Sequence, residues 1–293
     1  MPCPCGSGLR AARCCAVPAA AFQPESAERP LAPLLHQAQT TPDPDAAAAL
    51  CVEILELSPG HRAALWRLAT LRRGTGAEEP LLRRLLARDP NHLPATNALA
   101  RALIDRGAPH EAEPHARNAI RLAPRHPHSH SLLALALTAA GAPAFAETHY
   151  RRALALLGTR DPALLASLAH TLHLQGKRTE ARTLYEEATT LDPANPHAWL
   201  GLARLEQAED NLPQAATCLD RAEALAPATP AIHLLRAELH IAAGDQPAAL
   251  AALPPPAGLA AEELLHQGRL LDRLGRHPEA FAAVTEANAR LRG

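Results

Sequence analysis

Lysine, methionine and aromatic residues are nearly missing from this chain of 293 residues. Lys177 is the only lysine, Met1 the only methionine, and the aromatics are Phe22, Trp66, Phe145, Tyr150, Tyr185, Trp199 and Phe281. Binding nucleic acid requires a basic stripe, and binding single strands adds stacking rings; a formal net charge of -1 and so few rings supply neither. No apolar run reaches the roughly 18 residues of a membrane span, and cysteines and glycines interrupt the N-terminus where a signal peptide needs an apolar stretch. The expectation is a soluble, cytoplasmic protein that binds neither nucleic acid nor membrane.

Chemistry is also sparse. "CGSGL" has neither the preceding strand nor the lysine of a phosphate-cradling loop, and no G-x-S-x-G elbow or H-E-x-x-H helix occurs. His126, His128 and His130 alternate at the start of a helical segment, where alternate side chains diverge, so they do not form a metal site. His277-Pro278-Glu279 imitates two ligands of a non-haem iron triad, but Glu279 occupies a routine repeat position. No acid/base carboxylate pair stands apart from surface charge, so the chain is expected not to be an enzyme.

What is abundant is alanine and leucine, which lose little side-chain entropy in helices. The chain repeats itself with a period of about 34 residues, its units closing at Pro59, Pro90, Pro124, Gly158, Pro193 and Pro227. Each unit holds two amphipathic segments around a break at Gly107, Gly141, Gly176, Gly244 or Gly275, with Asp210 in that place once. Small residues recur in the first segment (Ala100, Ala134, Ala169, Ala203, Ala237, Gly268) and early in the second (Ala112, Ala146, Ala181, Ala215, Ala249, Ala280), which lets paired helices approach closely.

These landmarks resemble the tetratricopeptide repeat. The stretches "PHAWLGLARLEQAEDNLPQAATCLDRAEALAP" and "ALLASLAHTLHLQGKRTEARTLYEEATTLDP" carry nearly its whole pattern, with Tyr185 where the family puts an aromatic. The resemblance covers about 27 to 292, with degenerate units at 27–59, 62–90 and 230–254. It implies an all-α, right-handed superhelical solenoid of antiparallel helix pairs over 32–293, about seven to eight units, with a concave wall made by the first helix of each pair. Helical periodicity projects Asn97 and Arg101 onto that wall, then His128 and Ser131, His170 and His173, His197 with Arg204 and Gln207, and Glu238. These form either a partner groove or ordinary solvated faces. The Lys and Asn clamp of chaperone-tail binders is absent, since its places hold Asn97, Arg101 and Leu132.

Four of the six cysteines crowd into "MPCPCGSGLRAARCC": Cys3, Cys5, Cys14 and Cys15. Four thiolates brought together by a glycine turn suit tetrahedral Zn(II), and a segment this small needs such a staple to fold; free or redox cysteines are the other reading. "CPCGSG" with the terminal cysteine pair resembles the SEC-C zinc motif, which implies a structural knuckle over 1–16 and a second protein contact. The family's lysines and aromatic are replaced here by Leu9, Arg10, Ala11, Ala12 and Arg13. Residues 17–31, rich in Pro and Ala, are expected to be a linker, leaving knuckle and repeats with separate cores. Cys51 and Cys218 lie singly in helical segments.

Two functions follow. The first is a scaffold holding a protein or peptide in the groove, with the knuckle as second contact. The second is the non-catalytic front of a sulfotransferase or oxygenase: "HQGRLLDRLGRHPEAFAAVTEANARLR" resembles the last repeat before bacterial sulfotransferase domains. Phe281, Thr285 and Asn288 are then expected to face a neighbouring domain or a second copy.

Overall fold

The computed structural model describes Cys3, residues 6–10 and residues 31–292. Cys5, Cys14 and Cys15, and with them most of the expected linker, lie outside the described residues.

Among the described residues there are sixteen α-helices and no strand, and the helices come in eight antiparallel pairs. Two compact units divide them, Met1–Thr159 and Arg160–Gly293. The first holds α1 (Ala32–Thr40) with α2 (Pro44–Leu57), α3 (Arg62–Leu71) with α4 (Glu78–Arg88), α5 (Leu93–Asp105) with α6 (Pro109–Leu122), and α7 (Pro127–Ala139) with α8 (Pro143–Leu157). The second holds α9 (Pro162–Leu174) with α10 (Arg178–Leu191), α11 (Pro196–Ala208) with α12 (Leu212–Leu225), α13 (Pro230–Ala242) with α14 (Gln246–Ala252), and α15 (Ala261–Arg273) with α16 (His277–Arg292). Within each unit first helices touch first helices: α1 meets α3 and α5 meets α7, while α9, α11, α13 and α15 form one row.

Local chemistry sets these boundaries. Proline, which has no N–H to satisfy, occupies the first turn of most helices, and the residue before it often caps. Asp161 accepts from the Leu164 amide at 2.8 Å, and Asn195 from those of His197 and Ala198. Each first helix from α5 on ends in a left-handed residue that lets the next amide reach back to a carbonyl five residues earlier, as Ala108 does to Leu103 at 2.8 Å. Glycine takes this conformation in every case but one: Asp210, φ 61°, is the only non-glycine with positive φ among the described residues.

The recurrent small residues lie where the repeat predicts. Ala100, Ala134, Ala169, Ala203 and Ala237 are fully buried, as are Ala112, Ala146, Ala181, Ala215 and Ala249. Tyr185 on α10 lies over Gly201 on α11, at the one place where a side chain would collide with the ring. The unit at 230–254 is degenerate because α14 is only 7 residues long, stopped by Pro254 to Pro256.

Among the described residues, Cys3 and Leu9 belong to the same apolar cluster as Ile54, Leu65, Leu82 and Leu99, where a knuckle with its own core was expected. The chain reverses through Gly6 and Gly8, both left-handed, with the Cys3 amide donating to the Leu9 carbonyl at 2.7 Å. The reversal drives Leu9 fully inside, seats Gly8 against Val52, and lets Arg10 pair with Glu56 of α2.

Candidate functional site

In the first unit, α3, α5, the start of α4 and the start of α7 enclose a cavity of about 560 Å³. Asn97, Arg101 and His128, three of the residues projected from the sequence, line it together with Trp66, Glu78 and Leu93. Asn97 is buried, and its Oδ1 accepts from Ser129 Oγ at 3.1 Å, so that oxygen holds α5 to α7. Arg101 is spoken for by Asp105, one turn on, at 2.9 Å. Burial lowers the His128 pKa, and the neighbouring His126 and Arg101 charges lower it further, so the imidazole is neutral near pH 7. Ser131 donates to the His128 carbonyl at 2.8 Å and does not line the cavity.

Of the three alternating histidines, only His130 diverges. His126 and His128 sit edge to face with centroids 6.2 Å apart, whereas His130 turns to α8 and stacks on His149 at 5.6 Å. His130 Nε2 donates to the Pro124 carbonyl at 3.0 Å, which leaves its Nδ1 to accept from His149 Nδ1 at 3.3 Å. His277 pairs with Asp272 at 2.9 Å and Glu279 with Arg276, so both have routine surface partners. No group of three or more His, Cys, Asp or Glu among the described residues could hold a metal. Of the four cysteines assigned to zinc, only Cys3 is described, and it is buried.

In the second unit the row of first helices carries a polar chain. Gln207 on α11 donates to Glu238 on α13 at 2.7 Å, and Glu238 also bonds His266 on α15. Burial alone would raise the Glu238 carboxyl, but hydrogen bonds from His266 and Gln207 and the Arg204 charge outweigh it and hold the group below its ordinary range. On α9, burial and the Arg204 charge, with His173, push His170 down to about 4. His173 is also lowered, chiefly by burial, and its Nδ1 is enclosed without a hydrogen-bond partner. His197 is exposed and stands apart from this group.

Sequence reasoning thus found Arg204, Gln207, Glu238, His170 and His173 on one row, and missed His266, Trp66 and Glu78. His266 carries a detectable signal, since it stands two residues before Gly268 just as Glu238 stands one after Ala237 on the same wall. Glu78 carries none, because it opens a second helix. In the last unit α14, α15 and α16 frame another cavity of about 560 Å³, lined by Leu250, Leu264, Leu271 and Ala283. Phe281 (76 %) and Leu291 (61 %) are exposed on α16.

No helix among the described residues is long and apolar enough to cross a membrane. No curated protein matches the chain. Three family models, each described as tetratricopeptide repeat, match residues 97–162, 172–239 and 230–253. A tetratricopeptide repeat protein from Parabacteroides merdae superposes with a TM-score of 0.59 at 15 % identity, covering 78 % of this chain and 93 % of that one. A chain of the APC/C hetero-tetramer Cut9-Hcn1 gives 0.58 at 13 % identity, covering 88 % and 52 %. PilW, described as a type IV pilus biogenesis factor, gives 0.56 at 18 % identity, covering 65 % and 90 %. At these identities the structures speak for the fold, and the family models, which together span just over half of the residues, agree with it. The chain is a tetratricopeptide-repeat protein.

Proposed function

We propose that this protein is a non-catalytic cytoplasmic scaffold that holds a protein or peptide segment along the row of first helices. The observation that carries this reading is the polar chain of Gln207, Glu238 and His266. Three successive first helices spend side chains on one partly buried network beside Arg204, where a repeat needs only solvated charge. Such a wall offers fixed donors and acceptors at helix-to-helix spacing, which suits an extended segment. Assembly with another protein is also what the Cut9-Hcn1 name records for that relative.

The scaffold reading includes Zn(II) held by Cys3, Cys5, Cys14 and Cys15, with the metal acting as a structural staple. The reversal at Gly6 and Gly8 and the burial of Cys3 are compatible with a knuckle packed on the repeats. The matched families are repeat families alone, and the sulfotransferase-linked alternative gains nothing from them.

A displayed library of random peptides, selected against the intact protein and against Arg204→Glu, tests the wall. The expected result is a retained set that binds the variant at least about tenfold more weakly, or by about 1.4 kcal/mol, while far-ultraviolet circular dichroism is unchanged. Equal binding to a folded variant removes the wall from the function.

A further inference from the structure

Glu78 opens α4 at the edge of the first unit's cavity and is only 6 % exposed. Its Oε1 accepts from the Gly74 amide at 2.9 Å, and its Oε2 is enclosed without any hydrogen-bond partner. A carboxylate oxygen taken out of water and given no donor is a costly arrangement, and it becomes favourable once a cation reaches it. The other charges of the cavity do not serve: Arg101 is held by both oxygens of Asp105, and Arg73 is exposed at the rim. His128, driven down by burial, brings no charge near pH 7. The remaining walls suit the body of a long basic side chain. Trp66 offers an indole, backed by His92 with centroids 5.3 Å apart, and Leu82 and Leu93 add apolar surface.

We propose that this cavity receives a cationic side chain, arginine or lysine, of a bound peptide, with Glu78 Oε2 as its counter-ion and Trp66 as its stacking surface. The proposal rests on the peptide-binding reading above and states which side chain the first unit selects. About 560 Å³ is room for an arginine side chain with its flanking backbone.

The chain has two tryptophans, so Trp199→Phe leaves Trp66 as the sole tryptophan, read selectively by excitation at a wavelength where tyrosine does not absorb. Acetyl-Ala-Arg-Ala-amide and its citrulline counterpart, which keeps the shape and loses the charge, are titrated into that variant. A saturable Trp66 change with arginine, at least about tenfold tighter than with citrulline, is expected. Adding Glu78→Gln should erase the difference between the probes. Equal affinity for arginine and citrulline overturns the proposal, as does undiminished arginine binding by folded Glu78→Gln; if that variant does not fold, the comparison of probes decides alone. The displayed library separates the two levels. Peptides retained without enrichment of Arg or Lys defeat the cation site and leave the peptide-binding reading standing, whereas no retained peptide defeats both.

Discussion

Gly201→Ala sets two known effects against each other, and the packing of α11 on α10 decides between them. Glycine inside a helix is less favourable than alanine by about 1 kcal/mol, so propensity alone makes the substitution stabilising. A Cβ at Gly201, however, would stand 2.1 Å from Cζ of Tyr185 and 2.2 and 2.7 Å from Cε1 and Cε2. Carbon atoms pack at about 3.5 Å, so the ring would have to retreat by more than about 1 Å. Tyr185 is 3 % exposed, and its burial, which pushes the phenol pKa upward, shows how little free space surrounds it. Overpacking costs about 1–3 kcal/mol, and a contact this short against a buried ring belongs in the upper part of that range, about 2–3 kcal/mol, so the net change should be destabilising by roughly 1–2 kcal/mol. Urea denaturation followed by circular dichroism measures it. A double-mutant cycle sharpens the test: in a Tyr185→Ala background the collision is gone, and Gly201→Ala should turn stabilising by about 1 kcal/mol. A Gly201→Ala protein as stable as the parent, or a cycle with no change of sign, would refute the argument.

Asp210→Gly should stabilise the second unit by about 0.5–1 kcal/mol, because Asp210 holds φ 61° where glycine has no Cβ penalty, and a lower urea midpoint would contradict this. His170, held at about 4 by burial and by Arg204, stays neutral when folded while its unfolded counterpart takes a proton below about 6.5. The unfolded state therefore binds more protons in that window, and stability falls as pH drops from about 6.5 to 4, by at most about 3 kcal/mol from this group. His170→Gln should flatten the dependence of the urea midpoint on pH, and an unchanged slope counts against it. Leu9→Ala should cost roughly 2–4 kcal/mol in the first unit, since Leu9 is fully enclosed in its core; a neutral outcome would mean the segment is not docked. Elemental analysis should find one zinc per chain, lost in Cys5→Ser and Cys15→Ser and kept in Cys218→Ser; chelation should lower the melting temperature of the repeats as well, because Cys3 shares their core.

The helix boundaries and the close-packed faces were legible because their causes are local and repeat. A left-handed residue follows each first helix from α5 on, so glycine recurs there, and Asp210 could be recognised from its place in the series. The buried alanines repeat for a similar reason, since each helix pair meets its own collision limit at the same depth. The Tyr185 ring was legible as a repeat position, but its seat on Gly201 was not: α11 carries a small residue at Ala203 by the repeat and a second at Gly201 for this one ring. Leu9 gave no sign either. Nothing in "GSGLR" says that the leucine enters a core whose other members begin about 30 residues later, because docking depends on the surface that α2 and α3 present.

The row of first helices shows where the limit of such projection lies. Projecting first-helix positions placed Arg204, Gln207 and Glu238 on one face, and the structure joins Gln207 to Glu238 and brings the Arg204 charge to bear on it. The same projection placed Asn97 there, yet Asn97 gives its oxygen to Ser129, a partner set by how α7 packs on α5. The acid of the first unit's cavity escaped the projection entirely. Glu78 and Glu79 stand together in the sequence as two surface charges at a helix start. Glu79 is drawn outward by Arg83 and Arg106, at 2.9 and 2.8 Å, while Glu78 turns inward with one oxygen left open. Their difference comes from which arginines α4 and α5 bring within reach, a property of the packed pair of helices that neither residue type nor spacing encodes.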